Sequence, residues 1–192
     1  MKTLLRILLI VAVIGAIGFA VWYFVLNRPV ELQARPAGTD GGLTWAYGLA
    51  LTPARGALAS DAVLVEAEGE HLLPDGRLAA NTGQWRLSFS SFTANARRLV
   101  TVDHTGAVTV GDASDPGTIR ALGSPPGIFP DSIVAFASTV GRGAAGTRTV
   151  INPVRVVHNN TAGTHVWQID FNVNNARENH RVRWDGVWLG LE

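Results

Sequence analysis

The sequence predicts an α+β protein with an N-terminal transmembrane helix and two repeated units, each made of one helix and a three- to four-stranded antiparallel meander. Three observations lead to this fold class. The N-terminus carries a long apolar run. Residues 85–106 and 167–186 match at one fixed offset, with tryptophan, phenylalanine, alanine, valine and aspartate at corresponding positions. A stretch with helical periodicity precedes each matching segment, as expected for a duplicated unit. The predicted organisation is an anchor at 1–28, a linker at 29–52, a first unit at 53–112, a connector at 113–128 and a second unit at 129–192.

Composition limits the function classes. The 192 residues are 47% hydrophobic and 16% charged, with a formal net charge of +1. A chain without a basic field does not concentrate nucleic acid, so we exclude nucleic acid as a partner. The chain has no cysteine, which excludes disulfides, thiolate metal sites and a thiol nucleophile. The core is therefore expected to depend on apolar burial alone.

The first element is the apolar run. Residues 7–26 carry no charge, and twenty helical residues are long enough to cross a hydrocarbon core of about 30 Å. Lys2 and Arg6 precede the run, which predicts a cytoplasmic N-terminus and an extracytoplasmic body, either periplasmic or extracellular. Trp22 and Tyr23 lie near the distal end, where aromatic side chains prefer the membrane interface.

Small residues form a stripe along this predicted helix. Ala12, Ala16 and Ala20 recur every four residues, with Gly15 beside them, and such a face lets a second membrane helix approach closely. Alternatively, alanine and glycine are simply common in apolar spans. A cleavable signal peptide is the other interpretation, with a small-x-small site at 18–20. The apolar run continues beyond that site, which favours an uncleaved anchor.

The first predicted unit begins with a helix. Thr52 and Pro53 fit an N-cap followed by proline at the first helical position, and the run that follows to residue 70 has Leu58, Ala62, Val65 and Gly69 on one helical face. Residues 43–51 are apolar and fit either a strand or a helix. From Trp85 the period changes to two, which predicts a meander with strands near 85–90, 99–103 and 107–110.

The second predicted unit repeats this plan. Asp131 or Ser132 is expected to cap a helix that continues to about residue 140. Pro153 interrupts a β-rich segment and predicts an edge strand. Alternation then resumes at residues 165–173, and Asp185-Gly186 predicts a final hairpin turn.

These two meanders resemble tandem PepSY-like (cystatin-like) domains. The first copy carries the resemblance in Trp85-x-Leu87-x-Phe89 and in residues 100–106, which end in Asp-x-x-Gly. The second copy has Trp167-x-Ile169-x-Phe171 but lacks the two-residue spacer between Asp185 and Gly186. The resemblance implies an extracytoplasmic binding or regulatory module without a shared catalytic group. It transfers no residue-specific role.

Motifs for chemistry are sparse. The five histidines are not spaced to fix a metal ion, although His158 and His165 flank a polar loop and could approach each other across a hairpin. No G-x-S-x-G nucleophile elbow occurs, and the glycine-rich residues 141–146 lack the features of a phosphate loop. We therefore predict no catalytic residue, no cofactor, no metal site and no small-molecule substrate.

Aromatic and amide side chains provide the candidate partner surface. Trp85, Trp167 and Trp184 lie on the apolar phase of their strands and are predicted to be core residues. Trp45 and Trp188 lie near the ends of the predicted body, where an exposed indole would mark an interface. Asn172 and Asn174 fall on the polar phase and could donate hydrogen bonds to a partner, or could be plain solvated surface.

These observations predict a non-enzymatic, membrane-anchored, extracytoplasmic protein-binding module. Its expected partners are the bilayer and an integral membrane protein, which would make it an accessory or scaffolding subunit of a membrane complex. The alternative follows from the resemblance and is a regulator or inhibitor of an envelope peptidase or cell-wall enzyme.

Overall fold

The computed structural model describes residues 31–35, 40–122, 131–159 and 164–192, together with Ile14, Gly15 and Gly18. The chain divides into two compact units, 1–31 and 32–192. The predicted membrane span at 7–26 lies almost wholly outside the described residues. Within the described part of the chain, no helix combines the length and the apolar character needed to cross a membrane. The structure therefore does not support the predicted transmembrane helix or the predicted single-pass membrane location.

The unit at 32–192 contains two helices and eight strands within its described ranges. The elements are α1 (Leu43–Ala57), β1 (Val63–Glu70), β2 (Gln84–Ser91), β3 (Ala96–Asp103), β4 (Val108–Ser114), α2 (Ser132–Ala137), β5 (Arg148–Asn159), β6 (Thr164–Val173), β7 (Ala176–Arg183) and β8 (Trp188–Leu191). All eight strands belong to one antiparallel sheet in the order β4-β3-β2-β1-β5-β6-β7-β8.

The single sheet contradicts the predicted fold class of two helix-plus-meander units. β1 pairs directly with β5, with Ala67 opposite Val156 and Gly69 opposite Val154, so all strands share one ladder. The second helix has only six residues. The physical reason is that a free β1 edge would leave a row of unpaired backbone groups, and pairing with β5 satisfies them. A repeat in the sequence does not indicate that its two copies will share a sheet.

The first helix begins ten residues earlier than the sequence predicted. Leu43, Ala46, Tyr47, Ala50 and Ala54 are buried at spacings of three and four, which explains why this apolar run is helical. Pro53 lies inside α1 instead of at its start. Its missing N–H would have bonded the carbonyl of Leu49, one turn earlier in the helix.

Residues 63–70 form a strand although the sequence predicted a helix there. Leu64, Ala67 and Gly69 are buried in β1, whereas Glu66, Glu68 and Glu70 face the other way. The glutamates recur with a period of two, and β1 has a strand on each side, so ladder pairing outweighs local helix propensity.

β5 is a central strand, so the prediction that Pro153 marks an edge strand is wrong. β5 pairs with β1 on one side and with β6 on the other. The register between β5 and β6 shifts between Ile151 and Arg155. Proline is tolerated at such an irregularity because no ladder N–H is required there.

The two helices meet at the start of α1. The backbone N–H of Leu43 donates to Ser132 Oγ at 3.0 Å, and that of Thr44 donates to Asp131 Oδ1 at 3.3 Å. Asp131 is at the N-cap position of α2, one of the two positions predicted, and Ser132 is the first residue of the helix, but Asp131 makes no side-chain cap bond to α2. The two residues instead cap a helix almost ninety positions away in sequence. They satisfy donors that a helix start leaves unpaired.

The core lies on the face of the sheet that α1 and α2 cover. Trp85, Trp167 and Trp184 are buried there, which confirms their prediction as core residues. The other face carries ion pairs, and Glu68 accepts from Arg155 at 2.8 Å across the β1–β5 junction. Apolar burial on one face and paired charges on the other give each strand its alternating pattern.

Substitution of Gly69 tests the packing at the β1–β5 junction. A Cβ at this position would lie 2.8 Å from the Trp85 ring, so we expect Gly69→Ala to lower the free energy of unfolding by about 1–3 kcal/mol through overpacking. Gly48 in α1 is the matched control because no atom lies within 4 Å of its added Cβ, and Gly48→Ala is expected to stabilise by up to about 1 kcal/mol. Urea denaturation measures both; equal effects would refute the close approach.

Substitution of Ser132 tests whether the start of the second helix caps α1. Ser132→Ala leaves the buried N–H of Leu43 without its acceptor, and we expect a loss of about 0.5–2 kcal/mol in unfolding free energy. Ser138→Ala removes a half-buried hydroxyl that donates to the carbonyl of Ala135 and serves as the control, with a change of a few tenths. Thermal and urea unfolding of both variants would show whether Ser132 has this role.

Candidate functional site

The predicted site residues are dispersed over the structure. Trp45 is half-buried in α1, with the Arg35 guanidinium 5.2 Å from its ring centre. Trp188 is half-buried in β8, whereas Asn172 and Asn174 are exposed on β6 and in the following turn. The structure therefore does not join these side chains into one surface. Outside the described residues lie Ala12, Ala16, Ala20, Trp22 and Tyr23. Gly15 is described and has helical backbone.

Trp188 belongs to a buried polar network on β7 and β8. Its indole Nε1–H donates to Nδ1 of His180 at 3.2 Å, and Nε2 of His180 lies 3.1 Å from Oε2 of Glu178. His180 is fully buried. An indole can only donate, so Nδ1 must accept, and the imidazole is neutral with its proton on Nε2. That proton is donated to the Glu178 carboxylate.

Glu178 joins this network to the glycine-rich loop at 141–146. Its Oε1 accepts the backbone N–H of Ala144 at 2.6 Å, and its Oε2 lies 3.6 Å from the Arg148 guanidinium. The bond from Ala144, followed by the bond from His180, lowers the pKa of Glu178 below its usual value. Gly143 has a φ of +78°, and a side chain there would collide with the carboxylate, so this position requires glycine.

A cavity of about 380 Å³ lies between this loop and the sheet. Arg148 and Phe171 form its floor, and backbone of 141–146 forms much of its wall. The Arg148 guanidinium is already engaged, because it donates to the carbonyl of Thr139 at 2.8 Å and lies 5.3 Å from the Phe171 ring centre. The charged group in the cavity is thus held by the protein itself.

The residue types of the network suggest acid–base chemistry, but their arrangement does not favour it. A general base needs a nitrogen within hydrogen-bond reach of a substrate, and both nitrogens of the buried His180 ring already have protein partners. Arg142 lies 4.9 Å above the Trp188 ring centre and covers the indole on another side. The network of Trp188, His180 and Glu178 holds β8 against β7, and it is called the clasp below.

The clasped strand β8 is one of the two outermost strands of the described sheet. Leu189 and Leu191 are 47% and 48% exposed, and Val187 before them is similarly exposed. A cavity of about 120 Å³ adjoins the two leucines, with Val166 and Arg181 also in its lining. The structure thus places an apolar edge beside a notch large enough for a small side chain.

The opposite edge of the sheet has a different character. The exposed side chains of β4 include Thr109, Asp112 and Ser114. Polar and charged groups on an edge oppose pairing with another chain. The sequence analysis did not select Leu189 and Leu191. The signal was the three apolar residues at alternate positions 187, 189 and 191, after the Asp185-Gly186 turn.

Two histidines meet at the end of the β5–β6 hairpin. His158 and His165 are opposite each other in the register, and their ring centroids are 4.9 Å apart. The approach that the sequence suggested is therefore present. Across the described part of the chain, no group of three or more His, Cys, Asp or Glu side chains is arranged to hold a metal ion.

The aspartates that carry the family resemblance have structural roles. Asp103 accepts from the backbone N–H groups of Thr105 and Ala107, and Asp185 pairs with Arg183 and accepts from Val187. A hydrogen bond from the Thr105 hydroxyl is the largest cause of the lowered pKa of Asp103, and a hydrogen bond from Arg183 is the largest for Asp185. Each carboxylate organises a hairpin turn.

Comparison with known proteins gives no family assignment. No family model, no curated protein and no solved structure matches this chain. The resemblance to PepSY-like domains therefore stays a prediction, and any function must be argued from the residues themselves.

Glu178 makes the clasp sensitive to pH. A carboxyl group with a lowered folded-state pKa stabilises the protein above its unfolded pKa of about 4.3, and this stabilisation is lost as the pH falls through the folded-state value. We expect Glu178→Gln to lower the melting temperature at pH 7 and to converge with the wild type in acid. Glu66→Gln, which removes an exposed partner of Arg97, is the control and should change little. Melting temperatures that differ equally at every pH would argue against this role of Glu178.

Proposed function

We propose that the chain is a non-enzymatic protein-binding module that captures an extended segment of a partner protein along β8. The observation that carries the proposal is the apolar edge, where Leu189 and Leu191 stand half exposed beside a notch of about 120 Å³ on an outermost strand. The occupant would be a segment with alternating apolar residues, because only alternate side chains of an added strand face the same side.

Strand addition fits the physical chemistry of this edge. An outermost strand has backbone N–H and C=O groups on its outer side that can form hydrogen bonds with another strand. Such bonds contribute affinity but do not discriminate between partner sequences. Specificity comes from pockets for alternate side chains. Leu189 and Leu191 line such a pocket, whose rim carries the ion pair of Arg181 with Glu192 at 2.8 Å. An apolar side chain that enters the notch would cover both leucines.

The clasp under β8 supports binding instead of catalysis. Trp188 holds β8 in place through His180, and Arg142 covers its indole. An edge that is already ordered loses less conformational freedom when a partner binds, which favours affinity. The same contacts leave the His180 ring buried and with both nitrogens hydrogen-bonded. The ring therefore stabilises the position of β8 and has no nitrogen available to a substrate.

A peptide selection tests the proposal. The purified chain is used to select binders from a random twelve-residue display library, and affinities of the synthetic peptides are measured by fluorescence anisotropy. We expect peptides with alternating apolar residues, whose binding slows amide exchange in β8. Leu189→Lys should weaken them at least about tenfold, because burying one leucine contributes about 1.5–3 kcal/mol and 1.4 kcal/mol is tenfold.

The matched control places the same lysine on the other edge. Thr109→Lys on β4 should leave peptide affinity unchanged, since Thr109 is exposed on the polar edge. Selected peptides that bind Leu189→Lys as tightly as the wild type would refute capture at β8. Sedimentation of the free chain as a dimer that Leu189→Lys dissociates would assign the edge to a second copy, and would also contradict the proposal.

A further inference from the structure

We propose that His158 and His165 form a two-histidine binding site for a divalent first-row transition-metal ion, Zn²⁺ or Cu²⁺. The site lies on the core side of the sheet at the end of the β5–β6 hairpin, and it is independent of the β8 edge. Imidazole is a preferred ligand of both ions. The inference rests on the position of the two rings, on which ring nitrogens have partners, and on what surrounds them.

The backbone places the two rings opposite each other. His158 and His165 are cross-strand neighbours in the antiparallel β5–β6 register, and their rings meet edge to face with centroids 4.9 Å apart. Two nitrogens bound to one zinc ion at about 2.0–2.1 Å in tetrahedral geometry lie about 3.3 Å apart. Because the backbone of Arg120 holds the His165 ring, the half-buried His158 side chain is the one that would rotate to reach that separation.

Among the described residues, one nitrogen of each ring has no hydrogen-bond partner. Nδ1 of His158 and Nε2 of His165 are both shielded from solvent, and neither makes a hydrogen bond within the described part of the chain. His165 is only 8% exposed. A buried polar atom without a partner costs free energy, and proteins rarely leave one unsatisfied. A metal ion that binds both atoms would satisfy them together.

The other nitrogen of His165 is oriented as in known metal ligands. The His165 ring makes a hydrogen bond with the backbone of Arg120. Because Nε2 has no partner in the described ranges, this bond uses Nδ1, whose N–H donates to the Arg120 carbonyl. The lone pair is thereby left on Nε2. Ligating histidines commonly donate their other ring N–H to a backbone carbonyl in this way, which fixes the tautomer and the ring.

Burial lowers the pKa of His165 and so favours the neutral imidazole, which is the form that binds metal ions. The nearby His158 and the Arg120 side chain lower this pKa further, whereas the hydrogen bond with the Arg120 backbone raises it. Trp184 lies on another side of the ring, with centroids 6.3 Å apart. Since the protein supplies two ligands, water or an exogenous ligand would complete the coordination, and the bound ion would be exchangeable.

Titration of the full-length chain without an affinity tag tests the site. ZnCl₂ is added in a non-coordinating buffer and followed by calorimetry, and CuCl₂ is followed by quenching of tryptophan fluorescence. We expect one ion per chain. His158→Gln and His165→Gln should each weaken binding more than about tenfold, the smallest loss usual for an outer-shell partner. His104→Gln, in the β3–β4 turn, is the matched control and should bind as the wild type does.

Two further measurements guard against a variant that merely misfolds. In the wild-type chain, imidazole nitrogen NMR should show Zn²⁺ shifting Nδ1 of His158 and Nε2 of His165, with His71, His104 and His180 unchanged. Arg120→Gln should tighten binding, because it removes a nearby positive charge and keeps the backbone carbonyl. Shifts at other histidines, or His165→Gln binding zinc as the wild type does, would overturn the proposal. So would the lack of a saturable one-to-one complex.

Discussion

The packing of Trp85 against Trp167 over the β1–β5 pair is the contact on which the rest of the sheet depends. Both side chains are fully buried and meet edge to face with centroids 6.4 Å apart. Trp85 comes from β2 and Trp167 from β6, so the contact spans the junction between the two runs of four strands. Gly69 on β1 leaves space for the Trp85 ring, and the carbonyl of Gly41 accepts its indole N–H. Without this contact, β1 and β5 would pair through few residues and little apolar area.

The aromatic packing continues from the junction to the end of the β5–β6 hairpin. Trp167 stacks on Trp184 with centroids 6.2 Å apart, and Trp184 contacts His165. A polar pair at the end of such a series is surrounded by apolar rings, which exclude water and strengthen electrostatic interactions. The two ring nitrogens of His158 and His165 that have no partner among the described residues therefore lie at the end of the same packing that joins the two runs of strands. A metal ion at this position would report its binding through Trp184.

Local patterns in the sequence were sufficient for part of the fold. Strict alternation identified β2, β3, β6 and β7, and it placed the three core tryptophans correctly, because a strand with one wet face requires that period. The pairing of β1 with β5 could not be predicted, since it joins residues almost ninety positions apart and no local signal encodes it. The start of α1 was missed for a related reason. Its N-terminal donors are satisfied by Asp131 and Ser132, which lie far away in the sequence. The two sites differ in the same way. The approach of His158 and His165 across a hairpin could be predicted from local sequence, whereas the exposure of Leu189 depends on which strand ends the sheet.

The two ends of the sheet differ in character, and only the β8 end has the features of the proposed binding surface. β4 carries polar side chains at three of its four exposed positions and is covered by α1 on the core side. β8 is apolar at its exposed positions and is fixed by Trp188, His180 and Glu178. A strand that only completed the core would gain nothing from exposed leucines, and their exposure carries a risk of aggregation. Retaining that risk on a strand that a buried network holds rigid is the arrangement expected of a surface that binds another chain. Because Trp188 reports on β8 and Trp184 reports on the histidine pair, occupancy of the two surfaces can be separated by their indole signals.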